Sequence, residues 1–213
     1  MDITAFETRL REERLAAVVR GRDAAAALRA VLALAEEGIG LIEVSLTTAD
    51  ACRVIADAVR ETAGAARVGA GTVLTREDLL RAREAGAEWI VTPALCAGVT
   101  AAVEAELPVL AGALTPTEVV AARAAGATAV KLFPASAVGP GYVRALRDPF
   151  PGLPLVPVGG VDAASAPDYL AAGAVAVGVG GPLLGDAAEG GDLAALRERA
   201  RALRAACAAG GAR

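Results

Sequence analysis

The feature of this sequence that most constrains its fold is an eightfold alternation of a short apolar run with a longer amphipathic segment. The runs are rich in Val, Ile, Leu and Ala without polar alternation, which is typical of parallel strands covered on both faces. The amphipathic segments begin at capping residues such as Asp23 and Thr75 and end at glycines such as Gly38 and Gly126. Eight successive strand–helix units predict a (β/α)8 TIM barrel preceded by a short N-terminal helix.

The boundaries of these segments predict one domain over residues 1–213, with the N-terminal helix in 1–14 and the barrel in 15–208. A doubly wound open sheet is the competing fold, and it would place a glycine-rich fingerprint after the first strand. The sequence there is Arg20-Gly21-Arg22-Asp23, which is no such fingerprint. The predicted strands are 15–19, 41–46, 67–73, 89–93, 108–113, 129–134, 153–160 and 174–180.

Composition excludes several classes of function. The chain has no histidine, which removes serine–histidine and cysteine–histidine catalysis and histidine-ligated metals, and its three cysteines lack metal-ligand spacing. A net charge of −4 with dispersed arginines offers no basic stripe for nucleic acid, and no apolar run is long enough for a membrane span. We therefore expect a cytoplasmic protein with free thiols, no metal or cofactor, and a small molecule as its partner.

Lys131 is the only lysine in the chain and lies within the apolar stretch Ala129 to Pro134. A neutral amine can add to a carbonyl and form an iminium, whereas guanidinium stays protonated and is a poor nucleophile. Apolar flanks such as Val130 and Leu132 disfavour the charged form of the amine. Lys131 is therefore a candidate for covalent catalysis; the alternative is a lysine whose stem is buried while its amine reaches water.

Polar residues follow several predicted strands, and the carboxyl ends of barrel strands meet at one mouth. Glu43 is the only charged residue between Gly38 and Ala49 and lies within a predicted strand. In a chain without histidine, a carboxylate beside Lys131 is the available general acid–base. The alternative is a glutamate neutralised by a neighbouring arginine.

Glycine pairs end the last two predicted strands, at Gly159-Gly160 and Gly180-Gly181. Barrels often bind phosphate at this position through backbone N–H groups. The alternative is a tight turn that needs positive φ. Arg20, at the end of the first strand, can form bidentate contacts with a phosphate or carboxylate.

The chain resembles the class I 2-keto-3-deoxy-6-phosphogluconate (KDPG) aldolases and their 6-phosphogalactonate relatives over nearly its whole length. The motifs that carry the resemblance are Ile42-Glu43-Val44, Val68-Gly69-Ala70-Gly71-Thr72-Val73, Val91-Thr92-Pro93, Val130-Lys131-Leu132-Phe133-Pro134-Ala135 and Val158-Gly159-Gly160. This resemblance implies cleavage of a phosphorylated sugar acid to pyruvate and glyceraldehyde 3-phosphate, with 4-hydroxy-2-oxoglutarate as a further candidate substrate. It also suggests a homotrimer.

The resemblance implies roles for individual residues. Lys131 would be the Schiff-base lysine and Glu43 the proton-transfer group, with Thr72 and Pro93 near the pyruvyl carboxylate. The glycines Gly160, Gly180 and Gly181 would surround the phosphate. Arg20 looks like the substrate-contacting arginine of the galactonate branch.

Two departures from the gluconate-type pattern bear on the substrate: Thr47 stands where those enzymes have an arginine, and Val158 where they have a threonine. The phosphate-site serine of the family is replaced by Gly181, which keeps the backbone N–H but loses the hydroxyl. Val158 favours the galactonate branch but cannot hydrogen-bond a C4 hydroxyl, so both C4 epimers are candidate substrates. An isomerase or epimerase on the same barrel, and a non-catalytic sugar-phosphate binding protein, are the alternative functions.

Overall fold

The structure is a computed structural model and describes residues 1–209. Eight strands alternate with helices along the chain. The strands are β1 (Leu15–Val19), β2 (Leu41–Ser45), β3 (Arg67–Gly71), β4 (Ile90–Val91), β5 (Val109–Ala113), β6 (Ala129–Leu132), β7 (Leu155–Pro157) and β8 (Val177–Val179). The helices are α1 (Ile3–Glu13), α2 (Ala24–Glu36), α3 (Ala51–Thr62), α4 (Arg76–Glu84), α5 (Ala97–Glu104), α6 (Pro116–Ala124), α7 (Pro140–Arg147), α8 (Ala166–Ala171), α9 (Gly181–Leu184) and α10 (Leu193–Ala209).

The strands pair in parallel in the order β7-β6-β5-β4-β3-β2-β1-β8. A parallel bridge between Val158 and Gly178 joins the two ends of this order, so the sheet closes on itself. The prediction of a (β/α)8 barrel with an N-terminal helix is therefore confirmed. Residues 210–213, which the single-domain prediction included, lie outside the described residues.

Apolar side chains form two separate buried clusters, one on each side of the barrel wall. The larger cluster fills the space between the strands and the surrounding helices, where Val44 and Leu34 lie. The smaller one fills the barrel interior and includes Leu41, Trp89 and Leu110. Successive strand residues point to opposite faces, so β2 contributes Val44 to the outer cluster and Leu41 to the inner one.

Helix α1 closes the amino-terminal end of the barrel. Asp2 caps the helix by accepting a hydrogen bond from the Ala5 N–H at 2.8 Å. Phe6 and Leu10 are fully buried and belong to the interior cluster, and the Phe6 ring lies 5.4 Å from the Trp89 ring. In the described residues, the amino-terminal end of the barrel interior is therefore filled by side chains of α1, and the interior opens at the carboxyl ends of the strands.

The structure has several strands that are shorter than predicted. Strand β7 was predicted as 153–160 and spans Leu155–Pro157, and β8 was predicted as 174–180 and spans Val177–Val179. Strands β3 and β6 end at Gly71 and Leu132, two residues before the predicted ends, because the chain turns there to enter the mouth loops. The four-residue helix α9 was not predicted. Within residues 1–209, no helix combines the length and apolar character needed to cross a membrane.

Candidate active site

A cavity of about 370 Å³ lies at the carboxyl ends of the strands. Nine of the ten site residues proposed from the sequence line it. They are Arg20, Thr72, Pro93, Lys131, Val158, Gly159, Gly160, Gly180 and Gly181. The tenth, Glu43, lies in the barrel interior next to β3.

Lys131 projects from β6 into this cavity. It pairs in register with Gly112 on β5 and Val156 on β7, and its residue surface is only 7% exposed. The Nζ atom lies 5.2 Å from the centroid of the Phe133 ring. The amine thus lies against an apolar wall while it still contacts the cavity, which is the environment that favours a nucleophilic lysine.

Glu43 projects from β2 into the barrel interior, and glycine on the neighbouring strand gives it room. Its register partner on β3 is Gly69, and a Cβ built on Gly71 would lie 1.6 Å from the Glu43 Oε1 atom. Any side chain at position 71 would therefore displace the carboxylate. The glycines of the Val68–Val73 motif have a steric function here, in addition to their place in a strand–helix turn.

The environment of Glu43 favours its protonated form. The residue is 3% exposed, and burial raises the pKa of its carboxyl above the ordinary value, although the positive charges of Lys131 and Arg20 partly oppose this effect. Within residues 1–209 the carboxylate forms neither an ion pair nor a hydrogen bond. In the described residues, Arg20 thus acts on Glu43 through its charge and not through an ion-pair contact.

The raised pKa of Glu43 predicts a specific pH dependence of stability. As pH rises above the ordinary value of 4.5, the carboxyl ionises in the unfolded chain but stays protonated in the folded one. The folded state then binds more protons, so the free energy of unfolding falls as pH rises between the two pKa values. Glu43→Gln lacks this contribution.

Urea unfolding of the wild type and Glu43→Gln from pH 4 to pH 8 checks this prediction. The stability of the variant relative to the wild type should increase as pH rises above about 4.5. A difference that stays constant over this range would show that Glu43 ionises alike in both states.

The end of β3 brings a hydroxyl to the cavity. Thr72 has φ of 59°, in the left-handed region that β-branched residues rarely occupy. Its Oγ1 lies 2.9 Å from the Oγ of Ser45, which in turn lies 2.8 Å from the Oγ1 of Thr47. The turn at Thr72 directs its side chain into the mouth, away from the outer helices.

Pro93 reaches the cavity because the neighbouring strand has a glycine opposite it. A Cβ on Gly112 would lie 2.2 Å from the Pro93 carbonyl carbon and oxygen. The hydroxyl of the buried Thr92 donates to the Ala94 carbonyl at 2.8 Å and accepts from the Gly112 N–H at 3.3 Å. Thr92 therefore fixes the loop that carries Pro93.

The two glycine pairs form the opposite side of the cavity. Gly159 and Gly160 have φ of 96° and 79°, so the tight-turn requirement for glycine is met at this pair. Within residues 1–209, the N–H groups of Gly160, Gly180 and Gly181 donate to no protein acceptor. Free backbone donors at the ends of β7 and β8 can bind an anion.

Sequence reasoning missed five residues that line the cavity. They are Val18, Phe133, Pro182, Leu184 and Gly185. Val18 could have been found from its spacing, because it lies two residues before Arg20 and therefore on the same face of the chain. The residues of α9 and its C-terminal turn had no periodic signal, because this helix spans only four residues.

Comparison with known proteins matches most of the chain to one family model. Residues 6–198 match the model of the family described as "Aldolase: KDPG and KHG aldolase". A curated relative from Rhizobium meliloti, named "Probable 2-dehydro-3-deoxy-6-phosphogalactonate aldolase", is 38% identical over 197 residues, which cover 92% of each chain.

Two solved structures have the same fold. The "Native KDPGal structure" superposes with a TM-score of 0.86 at 31% identity, covering 92% of this chain and 95% of the other. The 4-hydroxy-2-oxoglutarate aldolase/2-deydro-3-deoxyphosphogluconate aldolase from TTHB1 superposes with a TM-score of 0.80 at 36% identity, covering 97% and 99%. The family model, the identities and the shared barrel agree, and the chain belongs to the KDPG and KHG aldolase family.

Proposed function

We propose that this protein is a class I aldolase that cleaves a 2-keto-3-deoxy-6-phospho sugar acid to pyruvate and glyceraldehyde 3-phosphate. Two observations carry the proposal: the sole lysine of the sequence lines the cavity at the barrel mouth, and its charge acts on the buried carboxyl group of Glu43 in the barrel interior. Lys131 supplies the nucleophile and Glu43 transfers protons. Relatives named for the galactonate and gluconate substrates place the substrate in this chemical class.

The covalent step begins when the Lys131 amine adds to the C2 carbonyl of the substrate. Loss of water gives an iminium, which accepts the electrons of the C3–C4 bond as that bond breaks. The C4 hydroxyl proton passes to Glu43, and C4 leaves as the aldehyde of glyceraldehyde 3-phosphate. The remaining enamine regains a proton at C3, and water hydrolyses the resulting iminium to pyruvate and free Lys131.

Glu43 suits both proton transfers because its carboxyl combines burial with nearby positive charge. A general acid–base works best when its pKa lies near the operating pH, and burial raises the pKa of Glu43 in that direction. The ionised form accepts the C4 hydroxyl proton, and the protonated form returns it to C3. One carboxyl group therefore serves both halves of the cycle.

The remaining cavity residues bind the two ends of the substrate. In this proposal Thr72 and Pro93 contact the pyruvyl carboxylate, while Val158 contacts the C4 region. The phosphate lies against the backbone of Gly159, Gly160, Gly180 and Gly181, within reach of the exposed Arg20. A Cβ added at Gly181 would meet nothing within 4 Å, so there is free space on the phosphate side of the cavity. In this proposal the phosphate is bound mainly by main-chain N–H groups.

Pyruvate release coupled to lactate dehydrogenase tests the proposed function. The substrates are 2-keto-3-deoxy-6-phosphogluconate, its galactonate epimer and 4-hydroxy-2-oxoglutarate. We expect NADH oxidation with at least one phosphorylated epimer. Proton exchange without carbon–carbon cleavage would indicate an isomerase or epimerase, and affinity without turnover a binding protein; either result would contradict the proposal.

Substrate choice is expected to be loose at C4 because Val158 has no hydrogen-bonding group. Val158 is buried against Gly178 and lines the cavity, so its side chain forms an apolar wall. An apolar wall changes the kcat/KM ratio of two epimers by only about 10–200-fold. A side-chain hydroxyl at this position could instead form a hydrogen bond with the C4 hydroxyl of one epimer and favour it more strongly. We expect kcat/KM values for the two epimers within about two orders of magnitude, and a shift towards the gluco epimer in Val158→Thr.

The matched control is Val158→Ala, which enlarges the cavity without adding a hydroxyl. Steady-state kinetics with both epimers on the three proteins separates the effect of the hydroxyl from the effect of space. An unchanged epimer ratio in Val158→Thr would mean that another residue, such as Thr47 or Arg20, contacts the C4 hydroxyl.

We further propose that the chain works as a single-domain homotrimer in the cytoplasm. Five of its exposed large apolar residues lie between positions 74 and 120, on α4, α5, α6 or the loops before them. They are Leu74, Leu80, Leu95, Val103 and Val120. Such side chains suit a subunit contact, and light scattering should give three times the mass of one chain. The free thiols of Cys52, Cys96 and Cys207 fit a reducing compartment.

A further inference from the structure

Three hydroxyl groups form a chain that leads from the surface to the cavity. Ser45 Oγ is the middle member and lies 2.8 Å from Thr47 Oγ1 and 2.9 Å from Thr72 Oγ1. Ser45 is completely buried, Thr47 is exposed, and Thr72 lines the cavity. None of the steps proposed above uses Ser45.

The number of protons on these three hydroxyl groups determines whether one of them can donate a hydrogen bond to a ligand. Three hydroxyls carry three protons, and the two hydrogen bonds between them use two. One proton is left for an acceptor outside the chain. If Thr47 donates to Ser45 and Ser45 donates to Thr72, the free proton is on Thr72 and points towards the cavity, and each bond strengthens the next.

The backbone keeps Ser45 and Thr72 in this arrangement. Ser45 pairs in register with Gly71, the residue before Thr72, and the Leu46 N–H donates to the Gly71 carbonyl at 2.8 Å. The strained left-handed backbone at Thr72 follows directly after this last pair. The hydrogen bond between Ser45 and Thr72 therefore joins the end of a paired strand to a side chain that follows a sharp turn.

The charge distribution of the cavity makes a neutral donor important. The cations among its lining residues are Lys131 and Arg20. In the proposed reaction the Lys131 nitrogen becomes part of the iminium, which keeps its positive charge but no longer has the three N–H donors of an ammonium, and Arg20 is assigned to the phosphate. A carboxylate on the Thr72 side then needs neutral hydrogen-bond donors, and the direction of the Thr72 hydroxyl affects how well it is bound.

We propose that Ser45 is a positioning residue for the substrate carboxylate: it orients the Thr72 hydroxyl so that this group donates to the carboxylate of a bound 2-oxo acid. The inference rests on the proposed function, because it requires a 2-oxo acid at Lys131. Loss of the Ser45 hydroxyl should therefore weaken binding of the carboxylate and leave iminium formation by the Lys131 amine unchanged.

The test compares two carbonyl compounds captured at Lys131 by borohydride. Pyruvate has a carboxylate and acetaldehyde has none, yet both form a reducible iminium with an amine. In Ser45→Ala we expect the pyruvate concentration for half-maximal capture to rise about tenfold, the effect of losing one hydrogen bond to a charged group. Capture of acetaldehyde should be the same as in the wild type. Peptide mass spectrometry measures both on the peptide that contains Lys131, and so separates this capture from any reaction of the Met1 α-amino group.

Thr47→Ala is the matched control, since it removes the hydroxyl group at the surface end of the three hydrogen-bonded hydroxyls. Ser45 keeps its own proton for Thr72 in this variant, so the effect on pyruvate capture should be clearly smaller than in Ser45→Ala. An equal loss in both variants would place the carboxylate contact at Thr47 and overturn the proposal.

The remaining outcomes separate this inference from the proposed function. A wild-type protein that captures neither compound would refute the Schiff-base reaction itself. Normal capture of pyruvate by Ser45→Ala would refute only the role of Ser45. A parallel loss of pyruvate and acetaldehyde capture would show that the substitution disturbs the barrel mouth as a whole, and would also overturn the proposal.

Discussion

Lys131→Arg is expected to abolish both turnover and the covalent capture of pyruvate. Arginine keeps the positive charge beside Glu43, but guanidinium does not lose its proton in proteins and forms no iminium. Borohydride reduction in the presence of pyruvate should add a pyruvate-derived mass to the wild-type peptide that contains Lys131 and to no peptide of the variant. Because Lys131 is the only lysine of the chain, the peptide assignment has no competing lysine side chain.

Two controls make the Lys131 result decisive. Circular dichroism should show that Lys131→Arg stays folded, and Lys131→Ala, which removes side-chain volume where arginine adds it, should be equally inactive. An active Lys131→Arg, or an unlabelled wild-type protein that releases pyruvate at full rate, would contradict covalent catalysis by this residue.

Glu43→Gln is expected to lower kcat by about 10²–10⁴-fold, the usual contribution of a general acid–base. Glutamine fills the same space in the barrel interior but cannot accept and return a proton. Formation of the iminium with pyruvate needs no cleavage of the C3–C4 bond, so borohydride capture should partly survive in this variant. Stopped-flow or steady-state turnover and mass-spectrometric capture, measured on the same preparation, separate the two steps.

The matched control for this substitution is Glu104→Gln, which removes an exposed carboxylate that pairs with Arg76; neither residue lines the cavity. Its kcat should equal that of the wild type, since exposed ion pairs contribute little. Near-normal turnover of Glu43→Gln would assign Glu43 a structural role. Loss of capture together with turnover would indicate that Glu43 is also needed when the iminium forms.

Much of the fold follows from local sequence signals. The alternation of apolar runs with capped, glycine-terminated helices predicted every barrel strand, because a parallel strand covered on both faces has few polar residues. The same reasoning overextended β4, predicted as 89–93 but observed as Ile90–Val91. Trp89 is apolar because it packs inside the barrel against Phe6, and apolar character alone does not distinguish that contact from strand pairing.

The candidate site was predictable to the extent that its residues end the strands. Lys131 and Glu43 stood out because each is an isolated charge in an apolar run, and barrel topology brings strand ends together. The contact between Ser45 and Thr72 was not predictable, because it depends on the left-handed turn at Thr72 and on the register of two strands. Small polar residues near strand ends carry no comparable signal of their own.

The closure of the barrel by α1 has a consequence for the route of protons. Among residues 1–209, Phe6 and Leu10 fill the amino-terminal end of the barrel, so we expect Glu43 to exchange its proton with water through the mouth. A substrate bound at Lys131 occupies that route for as long as the covalent intermediate lasts. In the proposed reaction, the proton that Glu43 takes from the C4 hydroxyl is then kept out of solvent until the enamine receives it, so each turnover recycles its own proton and needs no chain of water molecules to bulk solution.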